Sequence, residues 1–466
     1  MVATLSIADL VRGTQGALVG GRLDGRVTGV SIDSRTCRPG DVFFAIRGVR
    51  QDGHAFLRDA LGRGAAAAVV SRYPAGITLP GDVPLVFVED TTHALQRLGA
   101  FHRRRHALPV VGVTGSIGKT TTKELAAAVL GQRFRVLKAA GSLNNQWGVP
   151  LTLLGLEPGH QAAVLELGMS AFGEIAALAQ LARPSVGVVT TIAPAHLEGV
   201  GSIEGVQQAK AELVQAIPPD GAVVLNADDP LVLALAAEAR ARVLTYGRAA
   251  GADVRLGEVT PAAGGLAFTL ACNGTTVPVR LPLPGRHNAW NAAAAVAVGL
   301  ALGVPVEVAA GGLAGAVPVK GRLVWRQAGS VRVLDDTYNA NPVSLRAALN
   351  ALRDAGPDGG MWVVFGDMLE LGAASDAAHA EAGRWIAALP AAGLATAGTA
   401  ARATAAVAAE AGCPDVAAHA TPEEAAGHVA ARVRAGDRVL VKGSRGMRME
   451  RAVEALLARL GGGRPC

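Results

Sequence analysis

Residues 109–121 read Pro-Val-Val-Gly-Val-Thr-Gly-Ser-Ile-Gly-Lys-Thr-Thr, a β-branched run that stops at glycine and restarts as a helical pattern from Lys119 to Leu130. An apolar strand feeding through glycines into a Gly-Lys-Thr helix start is the sequence form of a phosphate-binding loop. Glycine lets the backbone approach phosphate oxygens and adopt positive φ, and the free N–H groups of the first helical turn make an anion site. Gly115, Ser116, Ile117, Gly118, Lys119, Thr120 and Thr121 are therefore the candidate nucleotide contacts. Lys119 would reach the β/γ-phosphates as a mobile point charge, and Thr120 would offer its hydroxyl to Mg²⁺. The general pattern places a glycine five residues before the Gly-Lys pair, but Val113 stands there, so the loop is a shortened variant. The plain alternative is a glycine-rich turn before a helix; the strand and the Gly-Lys-Thr start on their correct sides weigh against it.

Outward from the loop, apolar strand candidates recur at 162–167, 185–190, 222–226 and 242–246, with helical patterns between several of them. Such strands imply a mainly parallel sheet covered on both faces. Residues 252–283, rich in Gly, Thr, Val and Pro, read as an antiparallel excursion, and 288–302 as an alanine-dominated helix. A helix over 91–106 leads into this central domain, which runs from 91 to 317. Residues 1–90 read as a small α/β domain: Ser6 caps a helix through Val11, and strands follow near 27–32 and 42–46. Residues 318–466 repeat the alternation, with strands at 331–334, 361–365 and 438–441 and helices at 344–353 and 447–460. The alanine-rich stretch 391–435 reads as a helix-rich part of this second doubly wound, Rossmann-like unit, and 461–466 as a frayed tail. The expected fold class is α/β in three domains.

Composition bounds the partners. The length of 466 residues allows about three domains. Half the residues are apolar and only 4% aromatic, so the cores are built from Ala, Val and Leu. The net charge of +6 comes from 38 arginines and six lysines spread along the chain without a basic block, which argues against nucleic acid and suits polyanionic small molecules such as nucleotides. Cys37, Cys272, Cys413 and Cys466 are scattered, with no Cys-x-x-Cys pair, and point to neither a disulfide framework nor a zinc site. Residues 1–10 lack a basic segment ahead of an apolar stretch, so no signal peptide is expected, and no run of about 18 apolar residues offers a membrane span. The expected setting is cytoplasmic, and the expected state a monomer.

Polar clusters stand at the ends of the apolar strands, where ligands sit in open α/β sheets. Asn144 and Asn145 lie in Gly-Ser-Leu-Asn-Asn-Gln-Trp-Gly, Glu166 ends Ala-Val-Leu-Glu, and His196 with Glu198 follows the strand ending at 190. A carboxylate at a strand end beside a phosphate loop is placed for Mg²⁺, which prefers oxygen ligands. Lys210 gains weight because a chain that chooses arginine over lysine retains lysine where its pKa must shift or its amine must react. By the same measure Lys123 and Lys138 read as plain surface residues. Asn288 and Asn291, three apart at a helix start, read either as a base-edge reader or, for Asn288, as a cap. Asp335-Asp336-Thr-Tyr338-Asn339-Ala-Asn341 ends a strand, and acidic strand ends in Rossmann-like units often hold ribose hydroxyls. Ser31, Asp33, Ser34 and Arg35 make a ligand edge or an ordinary turn. Lys442-Gly-Ser444-Arg445 joins strand to helix in a second anion-binding geometry.

Taken together, Thr114-Gly-Ser-Ile-Gly-Lys-Thr120, Ala195-His-Leu-Glu198 and Ala209-Lys-Ala-Glu212 resemble the motifs of the Mur ligase family, across nearly the whole chain and in order. Residues 334–342, 364–372 and 441–445 resemble those of the member that adds D-Ala-D-Ala to a UDP-N-acetylmuramoyl (UDP-MurNAc) tripeptide in peptidoglycan precursor synthesis. The resemblance implies an N-terminal domain for the UDP substrate, a central ATPase domain and a C-terminal domain that closes over ATP. It implies ATP and Mg²⁺ as cofactors, with Lys119 and Thr120 on phosphate and metal, Glu166 and His196 on metal, and Lys210 carbamylated into a bridging ligand. Asn291 would contact adenine, Arg322 the phosphates and Asp336 the ribose, with Asn288 beside Asn291 in the nucleotide site. Lys119, Lys210, His196 and Arg322 form the implied catalytic set; Ser34, Arg35, Asn144, Asn145, Tyr338, Asn339 and Asn341 would touch the UDP-tripeptide or the dipeptide. The alternatives are another amino-acid ligase of the Mur or folylpolyglutamate type, and a nucleotide-dependent switch without ligation chemistry.

Overall fold

The computed structural model describes residues 4–48, 51–73, 83–194, 197–356 and 358–461. Among the described residues four sheets lie along the chain, one of them only the antiparallel pair Leu5–Ser6 with Arg26–Val27. The central one is built outward from Val110–Thr114, which pairs in parallel with Ala162–Glu166 on one side and Val186–Val189 on the other. Val136–Lys138 extends it at one edge, and Ala222–Asn226, Arg242–Gly247 and Val254–Leu256 at the other, all in parallel. Within 252–283, Gly265–Cys272 pairs antiparallel with Val254–Leu256, Thr260–Ala262 and Thr275–Leu281, so Val254–Leu256 joins the parallel sheet to the antiparallel excursion.

Alternation along each strand sorts its side chains to the two faces. Val111 and Val113 pack against Lys119–Leu130, His287–Ala301 and Val306–Ala314; Val110 faces Gly148–Leu153, Glu174–Ala182 and Ile203–Ala216. Alanines 289, 292–295 and 297 are fully buried. Their small side chains let His287–Ala301 sit close to the phosphate-loop helix, which brings Asn291 against the loop.

The N-terminal sheet has the order Ala17–Val19, Leu85–Phe87, Ala67–Val70, Asp41–Phe44, Gly29–Ser31, with the first pair antiparallel and the rest parallel. Ser6 caps Ile7–Thr14 by accepting from the amide of Asp9. Thr91–Arg103 lays Ala94, Leu95 and Leu98 into the core of this sheet.

The C-terminal sheet runs Val324–Ala328, Val331–Asp336, Arg438–Lys442, Met361–Gly366, Ala391–Ala397, Val416–His419, parallel except for its first pair. Helices cover both faces, as expected of a doubly wound unit. The stretch 391–435 is corrected here. Besides Ala401–Glu410 and Pro422–Ala430 it contributes two strands, because Ala391–Ala397 is buried and burial outweighs alanine's weak strand preference. No helix among the described residues is long and apolar enough to cross a membrane. Cys37, Cys272 and Cys413 are free and buried, and burial raises each thiol's pKa; Cys466 lies outside the described residues.

Candidate active site

The phosphate loop is held from behind by the next strand's end. Ser116 N–H donates to Thr191 O at 2.8 Å, Ser116 Oγ to Ala193 O at 2.9 Å, and Thr190 Oγ1 to Ile117 O at 2.5 Å. Gly115 has φ +145 and Gly118 φ +86, conformations that favour glycine. A Cβ on Gly118 would stand 2.5 Å from Asn291 Oδ1. Gly118→Ala is therefore expected to cost about 1–2 kcal/mol in backbone strain alone and to displace Asn291. A lower unfolding midpoint together with weaker ADP binding, read by calorimetry, checks this; unchanged ADP binding would contradict it.

At the loop's open side, charges and oxygens converge. Lys119 Nζ donates to Gly115 O at 2.6 Å. Burial lowers its pKa, Glu166 opposes the shift and Arg322 adds to it. Thr120 Oγ1 donates to Glu166 Oε2 at 2.7 Å and accepts from Arg322 Nη2 at 2.9 Å, while Ser142 Oγ lies 3.3 Å away. Asn144 Nδ2 donates to the other Glu166 oxygen at 2.8 Å. Arg322 Nε is buried without a hydrogen-bond partner, a donor that a phosphate oxygen would satisfy.

The C-terminal sheet closes the same cleft, a cavity of about 230 Å³ that Asn339 and Asn341 also line. Arg322 stacks 4.2 Å above the Tyr338 ring, which Arg445 also approaches, at 5.9 Å. Asp336 Oδ2 is 2.5 Å from Lys442 Nζ, and Lys442 also donates to Asn339 O. His287 lines the cleft beside this pair; burial pushes its pKa down to about 4, with Asp336 opposing and Lys442 assisting, so the ring is neutral near pH 7. Asn291 donates to Asn288 Oδ1 at 2.9 Å and accepts from Thr122. Asn288 is not a cap: it lies within the helix and donates to Pro284 O.

A second cavity, of about 420 Å³, opens on the other side of Lys119. Thr114, Gly115, Asn144, Asn145, Glu174 and Lys210 are among the residues that line it, and Lys119 and Asn144 line both cavities. Lys210 is 2% exposed, and its pKa lies well below the usual lysine value because of burial first and of Lys119 second.

Most of the residues expected from the sequence thus meet in these two cavities. Asn145 lines the second one, but its Oδ1 is engaged in accepting from the amides of Trp147 and Gly148. Ser34 and Arg35 line neither; Asp33 caps their turn and pairs with Arg35 at 2.7 Å. His196 lies outside the described residues. Ser142 and His287 were not singled out, although each stands one or two positions from a residue that was. Lys123 is corrected outright: it is fully buried rather than on the surface.

Three comparisons with known proteins agree with this geometry. Residues 26–103, 113–299 and 321–445 match the models of the Mur ligase family catalytic domain, the Mur ligase middle domain and the Mur ligase glutamate ligase domain. The chain is 35% identical over 455 residues to the UDP-N-acetylmuramoyl-tripeptide–D-alanyl-D-alanine ligase of Bacillus subtilis (strain 168), covering 97% of each. It matches a crystal structure of MurF from Acinetobacter baumannii with a TM-score of 0.88 at 34% identity, over 98% of this chain and 99% of that one. A MurF ligase from Thermotoga maritima in complex with ADP matches with a TM-score of 0.81 at 31% identity, over 93% and 98%.

Proposed function

The chain belongs to the Mur ligase family, and from that premise we propose that it joins D-Ala-D-Ala to UDP-MurNAc-tripeptide, converting ATP to ADP and phosphate. The observation that carries this reading is the meeting of two cavities at Lys119 and Asn144. One cavity, over the phosphate loop and under Arg322, Asp336 and Tyr338, takes ATP. The other, floored by Gly115 and walled by Lys210, takes the end of the tripeptide. The γ-phosphoryl group passes to the tripeptide's terminal carboxylate at the junction and gives an acyl phosphate. The free amine of D-Ala-D-Ala then attacks the acyl carbon, the C–O bond to phosphate breaks, and a peptide bond and inorganic phosphate result.

No enzyme nucleophile is needed, so the side chains act by position and charge. Lys119 and Arg322 balance the charge on the phosphoryl group. Asp336 holds the ribose once Lys442 releases it, and Asn288 and Asn291 face the base. Ser34 and Arg35 meet the UDP moiety; Asn144 and Asn145 meet the peptide, and Tyr338, Asn339 and Asn341 the dipeptide or the closed nucleotide. We place the working boundaries at 1–90, 91–317 and 318–466, and read the enzyme as a cytoplasmic monomer.

Mg²⁺ fits the residues present. Glu166, Thr120 and Ser142 bring hard oxygen donors to one spot, the type of ligand Mg²⁺ takes while keeping several waters. Among the described residues no three His, Cys, Asp or Glu side chains gather around an ion, so phosphate oxygens and a carbamylated Lys210 would supply further ligands, with His196. Bound there, the ion would neutralise charge on the transferred group.

Phosphate release from ATP and UDP-MurNAc-tripeptide tests the proposal. Release with D-Ala-D-Ala is expected. Release only with a single amino acid would contradict it and favour a ligase of another specificity.

A further inference from the structure

Lys123 sits at the fifth position of the phosphate-loop helix, 0% exposed. Its ammonium donates to Ala139 O and Gly141 O, each at 2.6 Å, and lies 3.0 Å from Glu124 Oε1. Three donors thus meet three acceptors, and the buried charge is satisfied. Two of those acceptors belong to the backbone of the loop that follows Val136–Lys138, where Gly141 turns through φ +54.

That loop connects several parts of the site. Ser142 reaches Thr120, Asn144 Nδ2 holds Glu166, and Asn144 O accepts from Gly168 N at 2.8 Å. Asn145 Oδ1 accepts from the amides of Trp147 and Gly148, where the helix Gly148–Leu153 begins. Gln146 O accepts from Gln96, and Trp147 Nε1 donates to Thr92 Oγ1 at 3.1 Å, both partners lying on the helix packed into the N-terminal sheet. The loop therefore runs from the nucleotide helix, past the carboxylate, to the N-terminal unit, and Lys123, beside the weaker Ser142–Thr120 contact, ties it to the nucleotide helix.

We propose that Lys123 is a positioning residue that fixes the 139–147 loop, so that Asn144 and Ser142 set Glu166 and Thr120 at the junction of the two cavities. The proposal rests on the ligase reading. It also accounts for a lysine in an arginine-rich chain: a compact ammonium fits three convergent oxygens, whereas a planar guanidinium with five donors leaves some unmatched.

The test compares Lys123→Met with the parent chain in hydrogen exchange and in kinetics. Amides of 139–147 are expected to exchange at least about tenfold faster. kcat/KM for UDP-MurNAc-tripeptide is expected to fall about 100-fold, the scale of a misplaced reacting group, while the Kd of ADP changes less than about threefold. Asn144→Ala added to Lys123→Met should cost little more than either alone, because both act through one loop. Unchanged loop exchange, an equal loss in ADP affinity, or multiplying effects in the double variant would overturn the proposal. Lys123→Gln serves if the Met variant does not fold, and failure of both to fold would make Lys123 a folding residue and end the proposal. An inactive parent chain would sink the ligase reading, and the exchange of 139–147 would still judge Lys123.

Discussion

Lys119→Ala is expected to lower kcat/KM for ATP-dependent ligation by about 10³-fold or more, equivalent to about 4 kcal/mol of transition-state stabilisation. The fold is expected to survive. Lys119 Nζ is bound only to loop carbonyls, Gly115 O at 2.6 Å and Ser116 O at 3.4 Å. Burial disfavours its charged form first, Glu166 favours it and Arg322 disfavours it, and Lys119 in turn disfavours the charged form of Lys210. Removing it ends the burial of a cation and its repulsion with Arg322 and Lys210 while giving up the attraction of Glu166 and two hydrogen bonds, so the unfolding midpoint should move by only a few degrees. Position decides the kinetic effect. Lys119 stands where the two cavities meet, so its charge is available to the phosphoryl group both on ATP and on the tripeptide carboxylate. Steady-state kinetics and thermal unfolding on the same sample check both halves. Retained turnover would contradict the assignment of the loop.

Lys210→Ala is expected to lose activity on a similar scale and to recover part of it in millimolar acetate or formate. An ordinary lysine near pH 7.4 is neutral in only about one molecule in 10³. Burial first and the cationic Lys119 second hold the pKa of Lys210 well below the ordinary lysine value, which raises the share of neutral amine. A neutral amine that attacks CO₂ forms an N–C bond and releases a proton, so carbamylation of Lys210 would replace a cation with an anionic group carrying two oxygens. Alanine leaves room for a small carboxylate to take the place of that carbamate. Lys210→Arg keeps a cation but is neither carbamylated nor leaves room, so acid rescue should fail there. Full activity of the alanine variant would end the carbamate idea.

Much of this is legible in the sequence. The phosphate-loop helix spans Lys119–Leu130 as its pattern indicated, since a glycine start and a periodic apolar face are both local signals. The parallel strands at 110–114, 162–166, 186–189, 222–226 and 242–247 were visible because buried strands read as unbroken apolar runs. Ala391–Ala397 and Val416–His419 were not visible: alanine is as consistent with helix as with a buried strand, and only the neighbouring strands decide. Lys123 was misread for a related reason. Nothing local in Thr-Thr-Lys-Glu announces burial, because its acceptors are backbone carbonyls 16 and 18 residues away. The pairing of Asp336 with Lys442 crosses 106 residues and depends on two parallel strands ending side by side. Residues at strand ends were found, whereas those that position them through the backbone were not.

In the proposed reaction, phosphoryl transfer to the tripeptide carboxylate precedes peptide-bond formation. Tripeptide labelled with ¹⁸O in its terminal carboxylate, incubated with ATP, D-Ala-D-Ala and the enzyme, tests it most directly by mass analysis of the phosphate released. One ¹⁸O atom per phosphate is the expected result, because the oxygen bridging acyl carbon and phosphorus leaves with phosphorus. Phosphate free of ¹⁸O, formed at the same rate as product, would contradict it.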